Sequence, residues 1–409
     1  MQKYLFLIMI MSLIAGFSYG QNSKVWSETV EVSPDRENKI VTNGQFNGVT
    51  IVFEQDFIPG LKISADDNKI FELTLDEHME DRIQANLVFL NNPVNSFSIK
   101  GITNRASLRI YYQYVPVISS LPGSEERRAG CESPGIVPQS VWRAGLEGPV
   151  QGRSKTVTRH CIVHHSASSN TDTNSINLVR AFYIQHKDIN GWDDIGYNYL
   201  IGYDGTVFAG RDPERQGIDQ DNVLGAHFCG KNSFTMGICV IGYFEAEAPD
   251  QRAISSLEQL LTWKMYKDKL NPLDSLHHPD TINGDLLPVL GGHRNGCATT
   301  CPGQILFDRL PEIRAEILDN INECGPLSIS KSVSGKILAY PSPSNHLITL
   351  EVPGEGNLRI FDMSGRMVYD KLIRYIEQVD VSLYIAGIYI VEFTSDAGHW
   401  MERVIVGGG

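Results

Sequence analysis

Gly291-Gly292-His293-Arg294-Asn295-Gly296-Cys297-Ala298-Thr299-Thr300-Cys301-Pro302-Gly303 follows a short apolar run, Leu286 to Leu290, and carries one imidazole and two thiols on a polar, glycine-rich loop. A second apolar run, Cys161-Ile162-Val163-His164-His165-Ser166-Ala167, ends in two more imidazoles. One imidazole from each stretch and one thiolate, from Cys297 or Cys301, make three ligands of the kinds zinc takes. Three protein ligands leave a fourth position for water, the arrangement of a catalytic site, whereas structural sites are usually closed with four. The chemistry of such a site is hydrolysis. Successive side chains of a strand point to opposite faces, so only one of His164 and His165 can face the site. A His near a Cys is by itself more often ordinary packing or half a disulfide, so the weight falls on the surrounding residues.

Those residues resemble the family of peptidoglycan recognition proteins and zinc-dependent N-acetylmuramoyl-L-alanine amidases. Four blocks stand in the family's order. They are Ile162 to Ala167; Gly191-Trp192-Asp193-Asp194-Ile195-Gly196-Tyr197-Asn198, continuing through Asp204-Gly205-Thr206-Val207 to Ala209-Gly210-Arg211; Gly225-Ala226-His227 with Asn232-Ser233 and Met236 to Cys239; and Gly292-His293-Arg294 closing on Cys301-Pro302-Gly303. The resemblance spans residues 131–325 and implies zinc on His164, His293 and Cys301, which leaves Cys297 as half of a disulfide and His165 as a hydrogen-bonded core or rim residue. It implies Tyr197 as a catalytic hydrogen-bond donor and Thr299 as a second, since amidases of the family carry Lys or Thr at that place. His227 and Asn232 match positions of the substrate groove. The expected activity is hydrolysis of the amide between N-acetylmuramic acid and L-alanine of the stem peptide. The competing classes are a non-catalytic peptidoglycan-binding receptor, which in this family typically lacks the Cys ligand, and a cell-surface adhesin.

The 409 residues suggest two or three domains. A net charge of −13 excludes nucleic acid and an anionic membrane surface as main partners, since both need a basic face. Residues 1–20 read as a cleaved secretory signal: Lys3, an apolar run from Tyr4 to Phe17, then Ser18-Tyr19-Gly20. The run is shorter than the roughly 20 apolar residues a membrane span needs, so no transmembrane segment is expected after its removal. In an exported chain the seven cysteines are disulfides, ligands or free thiols, and their pairing cannot be read from the sequence.

The expected chain is multidomain, with a central α/β amidase domain, a mixed sheet flanked by helices, between an N-terminal β-rich domain and a C-terminal β-sandwich. Residues 21–122 alternate short apolar runs with turn residues and carry no catalytic motif, which reads as an accessory β-rich domain or spacer. Ser119 to Pro134 reads as a linker. Within 131–325, strands are expected at Val157–His164, Ile238–Ile241 and Leu286–Leu290. A hairpin with a two-residue Asp204-Gly205 turn is expected, with helices after Asn174, over Ile254–Met265, and after Pro311. A second linker, Ser328 to Lys336, precedes residues 336–409. Ala339-Tyr340-Pro341-Ser342-Pro343, Leu358 to Tyr369 and Ala386 to Val391 resemble the C-terminal sorting domain of type IX secretion. That resemblance implies a bacterial protein that engages outer-membrane secretion machinery and ends outside the cell or on its surface, reached via the periplasm.

Overall fold

A computed structural model of the chain describes residues 24–34, 36–65, 69–79, 81–118, 130–170, 174–214, 220–279, 285–324, 337–340, 342–395 and 398–407. The expected signal segment and most of both expected linkers lie outside the described residues.

Seven antiparallel strands form the N-terminal part: β1 (Lys24–Val32), β2 (Asn38–Phe53), β3 (Lys62–Ala65), β4 (Ile70–Glu72), β5 (Ile83–Gln84), β6 (Val88–Lys100) and β7 (Ala106–Tyr114). Their order is β1-β7-β2-β6-β3-β4, with β5 on β2. Period-two apolar positions supply the core, among them Val49 and Ile51 of β2, Phe97 and Ile99 of β6, and Leu108, Ile110 and Tyr112 of β7. The segment between β4 and β6 leaves this sheet except for the two residues of β5, and it contains Asp76-Glu77-His78.

The central part contains β8 (Ile136–Val137), α1 (Gln139–Trp142), β9 (His160–His165), α2 (Ser175–Ile184), β10 (Tyr199–Ile201), β11 (Val207–Ala209), β12 (Thr235–Val240), α3 (Gln251–Asp268), β13 (Ser275–His277), β14 (Leu286–Pro288), β15 (Leu290–Gly292) and α4 (Gln304–Glu323). The sheet order β15-β9-β12-β10-β11-β8 is mixed, antiparallel only between β10 and β11, as expected for an α/β unit. β9 and β12 are buried along their whole length because both faces are covered. Cys161 and Val163 pack with Ile254, Leu257 and Leu261 of α3 and with Leu310 and Ile313 of α4. On the other side Leu200 and Cys239 meet Val179, Phe182 and Tyr183 of α2. That second core continues into the N-terminal part through Leu87, Phe89 and Val115. Polar contacts fix the same seam: Gln113 Nε2 donates to the Ala181 carbonyl at 3.1 Å, and Arg180 Nε to the Pro116 carbonyl at 3.0 Å.

Three local expectations change. The Leu286–Leu290 run divides, β14 pairing with β13 in a separate ribbon while β15 joins the edge of the main sheet. The turn after Gly202 is longer than two residues: the Gly202 N–H donates to the Thr206 carbonyl, and only Gly205, at φ +83°, takes the left-handed conformation. Helix α4 begins at Gln304 and runs through Pro311. Leu306, Leu310, Ile313 and Ile317 form a fully buried stripe spanning that proline, and this burial outweighs the missing hydrogen bond.

The C-terminal part is a five-stranded antiparallel sheet: β16 (Leu338–Tyr340), β17 (Leu347–Asp362), β18 (Met367–Asp380), β19 (Gly387–Ser395) and β20 (Gly398–Val406). Where a two-sheet sandwich was expected, hydrogen bonds join these strands into one network around a core that includes Leu350, Leu358, Ile360, Val391 and Phe393. Among the described residues no helix is long and apolar enough to cross a membrane.

Two disulfides form, Cys131–Cys324 and Cys229–Cys297, while Cys161 and Cys239 are buried free thiols inside β9 and β12. The disulfide expected of Cys297 is present. A fully buried ion cluster joins α3 to the loop before β12: the Lys264 ammonium bonds Asp221 and Asp268. Lys264→Met removes the one cation between two buried carboxylates, so it should lower unfolding free energy by about 3–5 kcal/mol in denaturant titration. A loss under about 1 kcal/mol would show that water reaches the cluster.

Candidate metal centre

β15 pairs in parallel with β9 so that Gly292 lies opposite Val163. The residues that follow, His293 just past the end of β15 and His164 within β9, therefore emerge side by side, with ring centroids 4.5 Å apart. The odd-numbered side of β9 is committed to the α3/α4 core by Cys161 and Val163, so His164 turns to the opposite face. His165 takes the reverse side: its Nδ1 receives the Phe244 N–H at 3.4 Å and its own N–H points at Cys301 Sγ, 3.3 Å away. The core role expected of His165 matches this placement.

Cys301 Sγ lies 3.7 Å from His164 Nδ1. Cys297 is withdrawn from the site by its disulfide with Cys229. Ligand atoms of His164, His293, Cys301 and one further residue, His78 from the N-terminal part, all lie within 4.8 Å of one another. The donor set fits zinc. His293 Nδ1 is buried with no hydrogen-bond partner, an orphan that a metal would satisfy. With Zn–N near 2.05 Å and Zn–S near 2.3 Å, the edges of a tetrahedral site are about 3.3 Å between two nitrogens and about 3.6 Å between nitrogen and sulfur. The His78 Nε2 to His164 Nδ1 distance is 3.4 Å and the His164 Nδ1 to Cys301 Sγ distance is 3.7 Å.

Burial, and after it the neighbouring imidazoles, holds His164 and His293 well below the usual histidine range. Both are therefore neutral, the form that binds metal. Burial pushes the Cys301 thiol well above its ordinary value, so a thiolate at this place calls for a cation beside it. Burial likewise pushes the Tyr197 phenol well above 10, which keeps it a neutral donor. Its ring stands 5.3 Å from that of His164.

His227 is positioned behind His164: its Nδ1 is 3.0 Å from His164 Nε2, and the residue is buried. Its ring occupies a slot that Gly225 and Gly237 keep open, since a Cβ on either would come within 2.5 Å of the ring. Asn232 Oδ1 accepts the N–H groups of His227 and Phe228 at 2.7 and 2.9 Å and so shapes the loop that carries His227. Both residues, expected in the groove, support the centre from behind. Thr299 stands on the rim, its Oγ1 accepting the Cys301 N–H at 3.0 Å and donating to Glu77.

His78 and Glu77 were not anticipated, because the N-terminal part reads as a spacer without a catalytic motif. The available signal was faint: His78 is the one histidine before residue 130, and it stands in the acidic run Asp76-Glu77-His78 within an otherwise alternating β pattern.

Residues 154–304 match the family described as N-acetylmuramoyl-L-alanine amidase. Peptidoglycan-recognition protein SC1a/b of Drosophila simulans is 31% identical over 156 residues, which is 37% of this chain and 71% of that protein. Peptidoglycan-recognition protein SC2 of the same fly is 29% identical over 177 residues, 43% of this chain and 84% of its own. The N-acetylmuramoyl-L-alanine amidase of Homo sapiens is 32% identical over 188 residues, 44% of this chain but 28% of that longer protein. The chain belongs to the family of peptidoglycan-recognition proteins and N-acetylmuramoyl-L-alanine amidases. Its residues 338–407 match the secretion system C-terminal sorting domain, and this tail marks the chain for secretion or the cell surface.

Metal analysis of Cys301→Ser should show loss of most of the bound zinc, while a variant lacking both Cys229 and Cys297 should keep it. The reverse result would move the thiolate ligand to Cys297.

Proposed function

We propose that the chain is a secreted, zinc-dependent N-acetylmuramoyl-L-alanine amidase that degrades cell wall. The observation that carries this reading is Cys301 Sγ beside His164 Nδ1, because the family's binding-only members typically lack that thiol. Zinc held by His164, His293 and Cys301 would supply Lewis-acid polarisation of the scissile carbonyl and a water activated at neutral pH. His227 fixes the His164 ring from behind, the outer-shell support that metal-bound imidazoles ordinarily have. Tyr197 contributes a neutral O–H donor to the developing oxyanion, and Thr299 a second hydrogen-bonding group at the rim. Hydrogen bonds aimed where charge develops lower the barrier most when they are fixed in advance, and the burial of Tyr197 provides that. The partner is peptidoglycan or its muropeptides. After Arg211 the chain runs Asp212-Pro213-Glu214-Arg215 in place of the family's usual Gly-Trp.

Digestion of purified peptidoglycan should release stem peptides with free L-alanine amino termini and no new reducing sugar ends, and a chelator should stop it. Mass spectrometry decides; reducing ends without amino termini would replace the amidase by a glycosidase. Tyr197→Phe should keep its zinc and lose about 10²-fold in rate, the scale of one transition-state donor. An unchanged rate would make Tyr197 a packing residue.

The C-terminal sheet serves as an export address, a role supported by its match to the sorting domain; its two histidines lie on its own surface, His399 paired with Glu392 at 2.8 Å and His346 exposed. Removal of residues 337–409 should leave zinc content and cleavage intact while the protein stays in the periplasm of its host, measured by cell fractionation. Export of the shortened chain as before would make the segment a wall-binding module.

A further inference from the structure

Four polar contacts and one ring stack bring the segment between β4 and β6 onto the metal centre. His78 Nε2 is 3.4 Å from His164 Nδ1 and 3.4 Å from the Tyr197 hydroxyl. Its ring is stacked on that of His293, with centroids 4.8 Å apart and planes 20° from parallel. Its other nitrogen, Nδ1, faces Asp76 Oδ1 at 3.3 Å. Glu77 Oε2 takes the Thr299 hydroxyl and the Thr300 N–H, the latter at 2.8 Å.

We propose that Asp76-Glu77-His78 is a built-in cap of the zinc centre, with His78 Nε2 as fourth ligand and Glu77 as a clasp on the rim. The proposal rests on the zinc-centre reading above. Three features favour a ligand over a bystander. The Nε2 contact to His164 has the length of a tetrahedral edge, whereas a side chain acting through an intervening water would stand farther off. The Asp76 carboxylate on Nδ1 fixes the tautomer that places the lone pair on Nε2, and this carboxylate–histidine pairing is the usual support of a metal-bound imidazole. Asp76 is itself held, accepting the His78 N–H and Gln84 Nε2 at 3.1 Å each, so the ring is delivered in a set orientation.

The cap also engages both groups assigned to catalysis, Tyr197 through His78 and Thr299 through Glu77. Beyond it, Arg82 Nη2 donates to Asn190 Oδ1 at 2.5 Å and pins the segment to the end of the α2 region. The sheet that carries it shares a core with α2, so its placement does not depend on these few contacts alone. A zinc held by four protein ligands has no position left for water, which is the signature of a closed site. In this state the centre is closed, and the cleavage expected above proceeds only from the fraction of molecules in which His78 has left the centre.

The test uses the full-length protein loaded with cobalt(II), compared with His78→Ala, Glu77→Gln and Cys301→Ser. The wild type should show a thiolate charge-transfer band and visible bands that azide leaves unchanged. In His78→Ala azide should shift those bands, chelator should strip the metal roughly tenfold or more faster, a scale set by loss of support to a metal site, and the zinc form should cleave peptidoglycan faster than wild type. Glu77→Gln, which keeps His78, should give intermediate azide sensitivity with unchanged metal content, and it decides the matter should His78→Ala fail to fold. Equal azide shifts in wild type and His78→Ala would overturn the fourth ligand. A fall in cleavage by a well-folded His78→Ala would make His78 a catalytic residue and overturn the cap. Absence of the charge-transfer band, with Cys301→Ser binding metal normally, would defeat the zinc-centre reading instead.

Discussion

The register between β9 and β15 is the constraint on which the centre depends. With Gly292 opposite Val163, the two strands release His293 and His164 at the same level. Side chains of a strand alternate faces, so a slip of one residue would send one imidazole into the α3/α4 core and His165 toward the centre. Burial on both faces makes such a slip costly, because every apolar residue of β9 would change sides together. Precision in the site is therefore inherited from the core. The same pair of strands leaves the third ligand to a loop, and that loop is held at one end by Cys229–Cys297 and at the other by the packing of Pro302 and Phe307 around Gly292.

Much of the central unit was legible because its signals are local. The apolar runs ending in His164 and preceding His293 mark strands, and the stripe Ile254, Leu257, Leu261, Met265 marks α3. Thr299 and Cys301 were singled out because the loop they share resembles the family's. Signals that depend on distant partners were silent. Nothing in the residues around Cys131 names Cys324 across 193 positions, and the free state of Cys161 and Cys239 follows from strands that turn them into separate cores. Proline at 311 suggested a helix start by its local preference, and burial of the flanking stripe overrode it. His227 matched a groove position by its neighbours in sequence; its place behind His164 follows from Gly237, on a strand that pairs with β9.

His78 was the least legible residue of all. It lies 86 positions before His164, in a module whose alternation describes a sheet and says nothing of what its connecting segment touches. The same alternation that makes the N-terminal part read as a spacer is what builds its rigid platform. Tyr112, Ile110 and Leu108 hold its interior, while Leu87, Phe89 and Val115 extend the α2 core.

Cys131 and Cys324 stand where the chain enters and leaves the central unit, with Cα atoms 6.0 Å apart. The chain between them, a sequence separation of 193, is thus bypassed as far as pulling is concerned. If the C-terminal tail is fixed at a cell surface while the N-terminal part is gripped by a polymer, tension passes across one covalent link and leaves the central sheet unloaded. The central unit is wired in parallel with its own tether: the strands that carry the candidate ligands need not bear the strain passed between the two ends of the chain.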